Sequence, residues 1–277
     1  MEAIVVIPVY KVQLTPGETL SLHRCLTVLK NHPIVLVTHA SLNVSAYEKV
    51  FVECGREMRV VSFPSSFFKN VQGYNQLMLS RSFYQRFADY TYLLIYQLDG
   101  YVFNDQLTDW CRKGYDFVGA PVFRFHGSHE AGNSLWKVGN GGVSLRKTAA
   151  FLSLFDRPMP LGTYPFFIKN IRLKGCAAMI SNTAMMGLKL LFYNHTIEYY
   201  LTHHCDSRIN EDMFWCDALS HTKLALNVPS LQESAYFCFE KSPAYLYTLT
   251  QHTLPFCCHA FERYDYPSFW NQFITIN

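Results

Sequence analysis

The stretch Tyr92-Leu93-Leu94-Ile95-Tyr96-Gln97-Leu98-Asp99-Gly100 decides how this chain reads. An apolar run ends in a carboxylate followed by glycine. That is the pattern of a buried strand that delivers an acidic side chain at its carboxyl end, where open α/β sheets hold their ligands. Upstream, strand and helix patterns alternate. Residues 4–10 are a β-branched run broken by Pro8, 18–30 carry leucines at near-helical spacing, and 34–38 form a second strand. Residues 44–54 read as a helix stopped by Gly55, 59–63 as a third strand and 74–87 as a helix ahead of the strand at 92–98. The alternation predicts an α/β fold: a mostly parallel central sheet with helices on both faces.

Downstream, 105–112 reads as a short helix and 116–119 as a short strand, and 123–135, with His126 and His129, reads as a loop. Residues 157–164, with Pro158, Pro160 and Gly162, read as a linker, and 166–193 as mostly helical, carrying Lys169, Arg172, Lys174 and Lys189. A further helix is expected at 211–219, and the remainder reads as short strands and aromatic loops. With no internal repeat or low-complexity tract, one domain over 1–277 is expected, with a variable region at 157–208.

Hydrophobic residues make up 49% of the 277 and charged residues 16%, enough for a large core and against disorder. A net charge of +3 is too mild for a dedicated nucleic-acid binder but compatible with anionic phosphates. Nine cysteines, an odd number with no Cys-x-x-Cys pair, and an N-terminus unlike a signal peptide predict free thiols in a reducing cytoplasm. No uninterrupted apolar run reaches the roughly 18–20 residues of a spanning helix. The basic, partly apolar 166–193 stretch fits a packed helix pair or one resting on the inner membrane surface.

Four clusters could carry chemistry. Asp99 suits a hard divalent cation on a nucleotide diphosphate, although a lone Asp after a strand also fits a turn or helix cap. Gln97 stands two residues before it, where a second acid would make an Asp-x-Asp pair, and could hydrogen-bond a sugar or ribose. Val138-Gly139-Asn140-Gly141-Gly142-Val143-Ser144-Leu145-Arg146 allows positive φ and close backbone approach to a ligand, or forms a plain turn; it matches neither the phosphate loop nor the dinucleotide fingerprint. In Asn210-Glu211-Asp212-Met213-Phe214-Trp215, the acids either complement a helix N-terminus or supply a general base, Asp212 or Glu211. His259, in Pro255-Phe256-Cys257-Cys258-His259-Ala260, could complete a metal shell, bond a phosphate or be a satisfied core histidine. His203, His204 and Cys205 lack a second ligand pair at a known spacing, so a structural zinc site is rejected.

The opening Val5-Val6-Ile7-Pro8-Val9-Tyr10-Lys11 with its following Leu-rich helix resembles the start of GT-A-fold glycosyltransferases. Tyr96-Gln97-Leu98-Asp99, Trp110-Cys111, Gly114-Tyr115-Asp116-Phe117-Val118-Gly119-Ala120-Pro121, the 138–146 segment, the 210–215 segment and the 255–260 segment, in that order, resemble a bacterial family assigned as glycosyltransferases and often found among surface-polysaccharide genes. The resemblance implies a Rossmann-like nucleotide-sugar half at 1–121 and an acceptor half at 122–277. It implies transfer of a sugar (hexosyltransferase type, EC 2.4) from a nucleotide sugar, by analogy a UDP-sugar, to a glycan or lipid-linked saccharide in polysaccharide synthesis. It places Pro8, Tyr10, Gln97, Asp99, Gly141 and Gly142 on the donor and Asn140 and Trp215 on the acceptor. Asp99 and His259 fall on a Mg2+ or Mn2+ ion, and Asp212 or Glu211 at the base position of inverting enzymes such as the fringe-like transferases. Gln97 departs from the two-acid pattern. A retaining transferase of the same fold, or an inactive sugar- or nucleotide-binding subunit, would share these motifs.

Overall fold

Alternate residues of the apolar strands divide the core between the two faces of one sheet. Val5, Ile7, Leu36, Leu94 and Tyr96 point into one hydrophobic cluster; Ile4, Val6, Val35, Val37, Leu93 and Ile95 point into the other. This is the two-sided burial of a covered parallel sheet, and it explains why these strands are continuous apolar runs. The computed structural model describes residues 2–125, 134–160, 163, 195–203 and 209–276.

The strands are β1 (Ala3–Pro8), β2 (Ile34–Thr38), β3 (Val60–Ser62), β4 (Tyr92–Tyr96), β5 (Tyr101–Val102), β6 (Phe117–Val118), β7 (Ala120–Phe123), β8 (Leu135–Gly139), β9 (Val143–Lys147), β10 (Cys238–Phe239) and β11 (Cys257–Cys258). The central sheet runs β3-β2-β1-β4-β9-β6. The pairs β3/β2, β2/β1 and β1/β4 are parallel; β9 runs antiparallel to both its neighbours. The expected mixed α/β fold with a mostly parallel sheet is therefore present. Two small sheets flank it, β10-β11-β5 and β7-β8.

Between β1 and β2 lies α1 (Pro16–Val28), opened by Thr15 and Glu18 bonded reciprocally to each other's backbone amides; such a cap stabilises by about 1 kcal/mol. Between β2 and β3 lies α2 (Ser45–Glu53), packed into the same cluster through Tyr47, Val50 and Phe51. After β3 the chain changes face. Helices α3 (Val71–Met78) and α4 (Arg81–Arg86) bury Leu77, Met78, Phe83 and Tyr84 in the opposite cluster. The strand order thus reverses between β1 and β4, so the crevice at their carboxyl ends is a topological switch point, the usual ligand position in such sheets.

Several expectations need correction. The helix expected at 74–87 is two helices, because the Ser80 hydroxyl donates to the Leu77 carbonyl (2.7 Å) and accepts the Phe83 amide (3.3 Å), ending one helix and capping the next. Part of the expected 123–135 loop is strand, since β7 ends at Phe123 and β8 begins at Leu135. Two helices were expected to be loops or short strands: Leu231–Phe237, capped by Ser230 on the Glu233 amide (3.1 Å), and Pro243–Leu249, with Pro at its first turn. The helix expected at 211–219 is one α-turn, Glu211–Met213, running into a π-turn, Phe214–Ala218. The expectations for 166–193, His126, His129, His204 and Cys205 lie outside the described residues. Among the described residues no helix is long and apolar enough to cross a membrane, and Cys25, Cys54, Cys111, Cys216, Cys238, Cys257 and Cys258 are free thiols.

Candidate functional site

The hairpin between β8 and β9 organises the site. Asn140 takes φ 74°, which asparagine tolerates better than most residues, and its side-chain oxygen accepts the Gly142 amide at 2.9 Å. The turn is thereby closed by a side chain whose Nδ2 is buried without a hydrogen-bond partner. Each glycine of the turn leaves room for a different side chain. A Cβ on Gly142 would overlap the His259 ring, one on Gly141 would overlap the Glu211 carboxylate, and one on Gly139 would sit 3.1 Å from Asp212 Oδ2. The glycines therefore let the backbone approach protein side chains rather than a ligand alone, and Gly142 is itself buried.

On the β4 side, Gln97 leaves the strand with its amide on the Gly142 carbonyl (2.9 Å), and the Gly100 amide closes a turn on the Gln97 carbonyl (2.9 Å) that presents Asp99. Asp99 Oδ1 lies 3.2 Å from His259 Nε2, and Gln97 Oε1 lies 3.4 Å from the same nitrogen. Glu240 Oε1 lies 3.4 Å from the other ring nitrogen. Burial opposes a charged imidazole, yet the carboxylates of Asp99 and Glu240 outweigh it and raise His259 to about 10. Burial likewise works against the Asp99 carboxylate, but His259 outweighs it and holds the group below its ordinary value.

On the other side, Glu211 and Asp212 open their helical turn with different fates. Glu211 is fully enclosed and accepts from Arg146 Nη2 at 2.6 Å. The same guanidinium donates to the Tyr84 hydroxyl (2.9 Å) and to Ser144 (3.0 Å), and the Glu211 amide donates to Asn75 Oδ1 (3.3 Å). Burial raises Glu211 to about 7 against the pull of Arg146, with Asp212 adding to the rise. Arg146 keeps its proton, so the buried guanidinium needs Glu211 as its countercharge. Asp212 has no such partner. Its Oδ2 accepts the Asn140 amide at 2.9 Å. Burial raises its pKa, with the Asn140 amide and Lys137 opposing.

The structure thus brings Gln97, Asp99, Asn140, Gly141, Gly142, Glu211, Asp212 and His259 to one turn. Pro8 and Tyr10 lie at the carboxyl end of β1, Pro8 buried and Tyr10 61% exposed. Pro8 lacks an amide proton only where pairing with β4 has ended at Val6 and Ile95. Trp215 is a correction. It is fully buried among Tyr84, Phe151 and Phe155, at ring distances of 6.4, 5.1 and 5.7 Å, and packs in the core rather than at the surface of the site. Sequence reasoning missed Arg146 as the partner of Glu211, Glu240 beside His259, and Lys137, whose buried amine lies 3.4 Å from Asp217 Oδ2. None has a local signature; an arginine at a fully inward strand position is the one hint.

Among the described residues no three of His, Cys, Asp and Glu converge on one point, because Asp99 and Glu240 face opposite nitrogens of His259. Three neighbouring atoms could nevertheless hold a divalent cation. Asp99 Oδ1 is buried and makes no hydrogen bond, and with His259 Nε2 and Gln97 Oε1 it forms a set of two oxygens and one nitrogen. Replacing Gly142 by alanine should push the His259 ring off Asp99 and Gln97. The ring signals of His259 are expected to shift in NMR spectra while amide signals remote from the turn stay in place.

The fold and this turn define an α/β protein with an acidic, histidine-containing site at the switch point of its sheet. The chain belongs to the family described as "Protein of unknown function (DUF5672)", whose family model matches residues 57–259. No curated protein matches it. Among solved structures it is similar to the galactosyltransferase LgtC in complex with donor and acceptor sugar analogs (10% identity, TM-score 0.47, covering 94% of this chain and 86% of that one). It is also similar to a glycosyltransferase involved in glycosylation of the major capsid of PBCV-1 (8%, 0.40, 94% and 92%). A third is core-mannan synthase A of Aspergillus fumigatus in its Mn/GDP form (8%, 0.41), over 55% of this chain and about 60% of the length of that protein.

Proposed function

We propose that the protein is a GT-A-like glycosyltransferase that moves a sugar from a nucleoside diphosphate sugar, a UDP-sugar by the motif resemblance, to a hydroxyl of a glycan or lipid-linked saccharide, with inversion at the anomeric carbon. The supporting observation is the turn at 139–142, which holds the Asp212 carboxylate on one side and the Asp99–His259–Gln97 group on the other. The donor occupies the crevice at the carboxyl ends of β1 and β4, beside Tyr10 and Asp99. The donor half covers 1–121 and the acceptor half 122–277.

Asp212 takes the proton of the acceptor hydroxyl as that oxygen bonds to the anomeric carbon. The bond from that carbon to the diphosphate oxygen breaks, and the nucleoside diphosphate leaves with the electron pair. The base is assigned to Asp212 rather than Glu211, because Glu211 is fully enclosed and its Oε1 pairs with Arg146. Asp99, His259 and Gln97 would hold Mg2+ or Mn2+, which when bound neutralises charge on the diphosphate. The raised pKa of Asp212 suits a base that must be ionised to act yet bind a proton well.

The test is incubation with a panel of nucleotide sugars and Mn2+, scoring nucleoside diphosphate release. Release with one donor, and product of inverted configuration by NMR once an acceptor is found, is the expected result. No release with any donor would favour an inactive binding subunit, and retained configuration would remove the base role of Asp212.

A pH dependence follows. Activity requires ionised Asp212, so kcat/KM should rise with pH through a pKa above the ordinary aspartate value. The charged groups acting on Asp212 include Lys137 and Glu240. Lys137 lowers its pKa, so Lys137→Met should move the acidic limb to higher pH. A limb that stays in place or moves down contradicts the assignment.

A further inference from the structure

We propose that Glu240 is a positioning residue for His259: it faces the ring at Nδ1 and so keeps Nε2 beside Asp99 and Gln97, where it would join them on a divalent cation. The inference rests on the metal-binding part of the reading above. Strands β10 and β11 run parallel in register, Phe239 beside Cys258, so the next residue of each strand, Glu240 and His259, emerge side by side. The His259 amide donates to the Phe239 carbonyl at 2.9 Å, which fixes the backbone there. Gly142 leaves the space in which the ring lies, and the ring is 12% exposed.

Within that slot the two nitrogens have different surroundings. Nε2 faces Asp99 Oδ1 at 3.2 Å and Gln97 Oε1 at 3.4 Å, both oxygen donors suited to a hard cation. Nδ1 is buried and faces Glu240 Oε1 at 3.4 Å, within ion-pair distance. An imidazole that binds a cation keeps one N–H, and the partner of one nitrogen decides which nitrogen is left for the cation. A carboxylate at Nδ1 keeps the proton there. It frees Nε2 and raises its basicity, the arrangement in which an outer carboxylate orients a ligand histidine. Glu240 is not itself a ligand of the same ion, because it lies on the opposite nitrogen from Asp99.

The test titrates Mn2+ alone into the wild type, Glu240→Gln, Glu240→Ala and His259→Ala, following the free-ion EPR signal, with folding checked by circular dichroism. Loss of an outer-shell partner typically weakens metal binding about 10–100-fold. Glu240→Ala should show a loss of that order. Glu240→Gln keeps a carbonyl acceptor for the Nδ1 proton and should retain more affinity than alanine; it remains informative if the alanine variant fails to fold. In the Mg2+-loaded wild type, 1H–15N correlation spectra should show the proton on Nδ1 of His259. Unchanged Mn2+ affinity in the folded Glu240 variants, or a proton on Nε2, overturns the proposal while leaving the metal site standing. A wild type that binds no Mn2+ overturns the metal reading and this proposal with it.

Discussion

Asp212→Asn is expected to lower turnover by about 10²–10⁴-fold, the usual contribution of a general base, with donor affinity near that of the wild type. Asparagine keeps the size of the side chain and an oxygen to accept the Asn140 amide, so the turn at 139–142 should survive. It cannot take up the acceptor proton. Donor affinity should be spared because the proposed donor crevice, at the ends of β1 and β4, lies on the Asp99 side of the turn. Steady-state rates and donor titrations on the same preparation separate the two effects. Turnover within a few-fold of the wild type would dismiss Asp212 as the base. A parallel loss of donor binding would place Asp212 on the donor instead.

Glu211→Ala is expected to cost stability rather than chemistry. The change leaves the Arg146 guanidinium, fully buried, without its countercharge, and breaking one side of such a pair typically costs about 3–5 kcal/mol. Against a total of about 5–15 kcal/mol for an ordinary domain, this should shift the denaturant midpoint strongly. Arg146→Met combined with Glu211→Leu should recover much of the loss, since replacing a buried pair by apolar groups of similar volume is often neutral or better. Tyr84 would keep its bond to the Met78 carbonyl (2.9 Å) in that variant. A single Glu211→Ala change costing less than about 1 kcal/mol would show that the pair does not hold this part of the core. Together with Asp212→Asn, the series assigns one acid of the Glu-Asp pair to the fold and the other to the proposed reaction.

The central sheet was legible because its evidence is local. The apolar runs at 34–38 and 92–98 and the helical spacing at 18–30 report on neighbours a few residues away. The carboxyl-terminal helices were equally local, with Ser230 three residues before Glu233 and Ser242 before Pro243, but their short lengths and aromatic content hid the period. The break at Ser80 was hidden for a different reason. Apolar residues continue across it at near-helical spacing, and only the serine's backbone bonds end one helix and start another.

The polar partners were out of reach of any such reading. Arg146 meets Glu211 across 65 residues, and His259 meets Gln97 across 162. No spacing in the chain encodes these meetings, which depend on how β9 lies against β4 and how β11 runs beside β10. Trp215 shows the same limit from the other side: the motif resemblance sets it on the acceptor, and packing puts it in the core.

By itself, the sequence determined that an apolar strand would end at Gln97 and Asp99, that a glycine-rich turn would follow, and that two adjacent acids would open a helical turn, because each depends on backbone preferences within a few residues. Only the tertiary structure decided which acid is paired with an arginine. Glu211 and Asp212 are chemically alike and adjacent, but one points at a buried guanidinium and the other at a backbone amide, and in a low-dielectric site that difference in neighbours gives them different electrostatic surroundings.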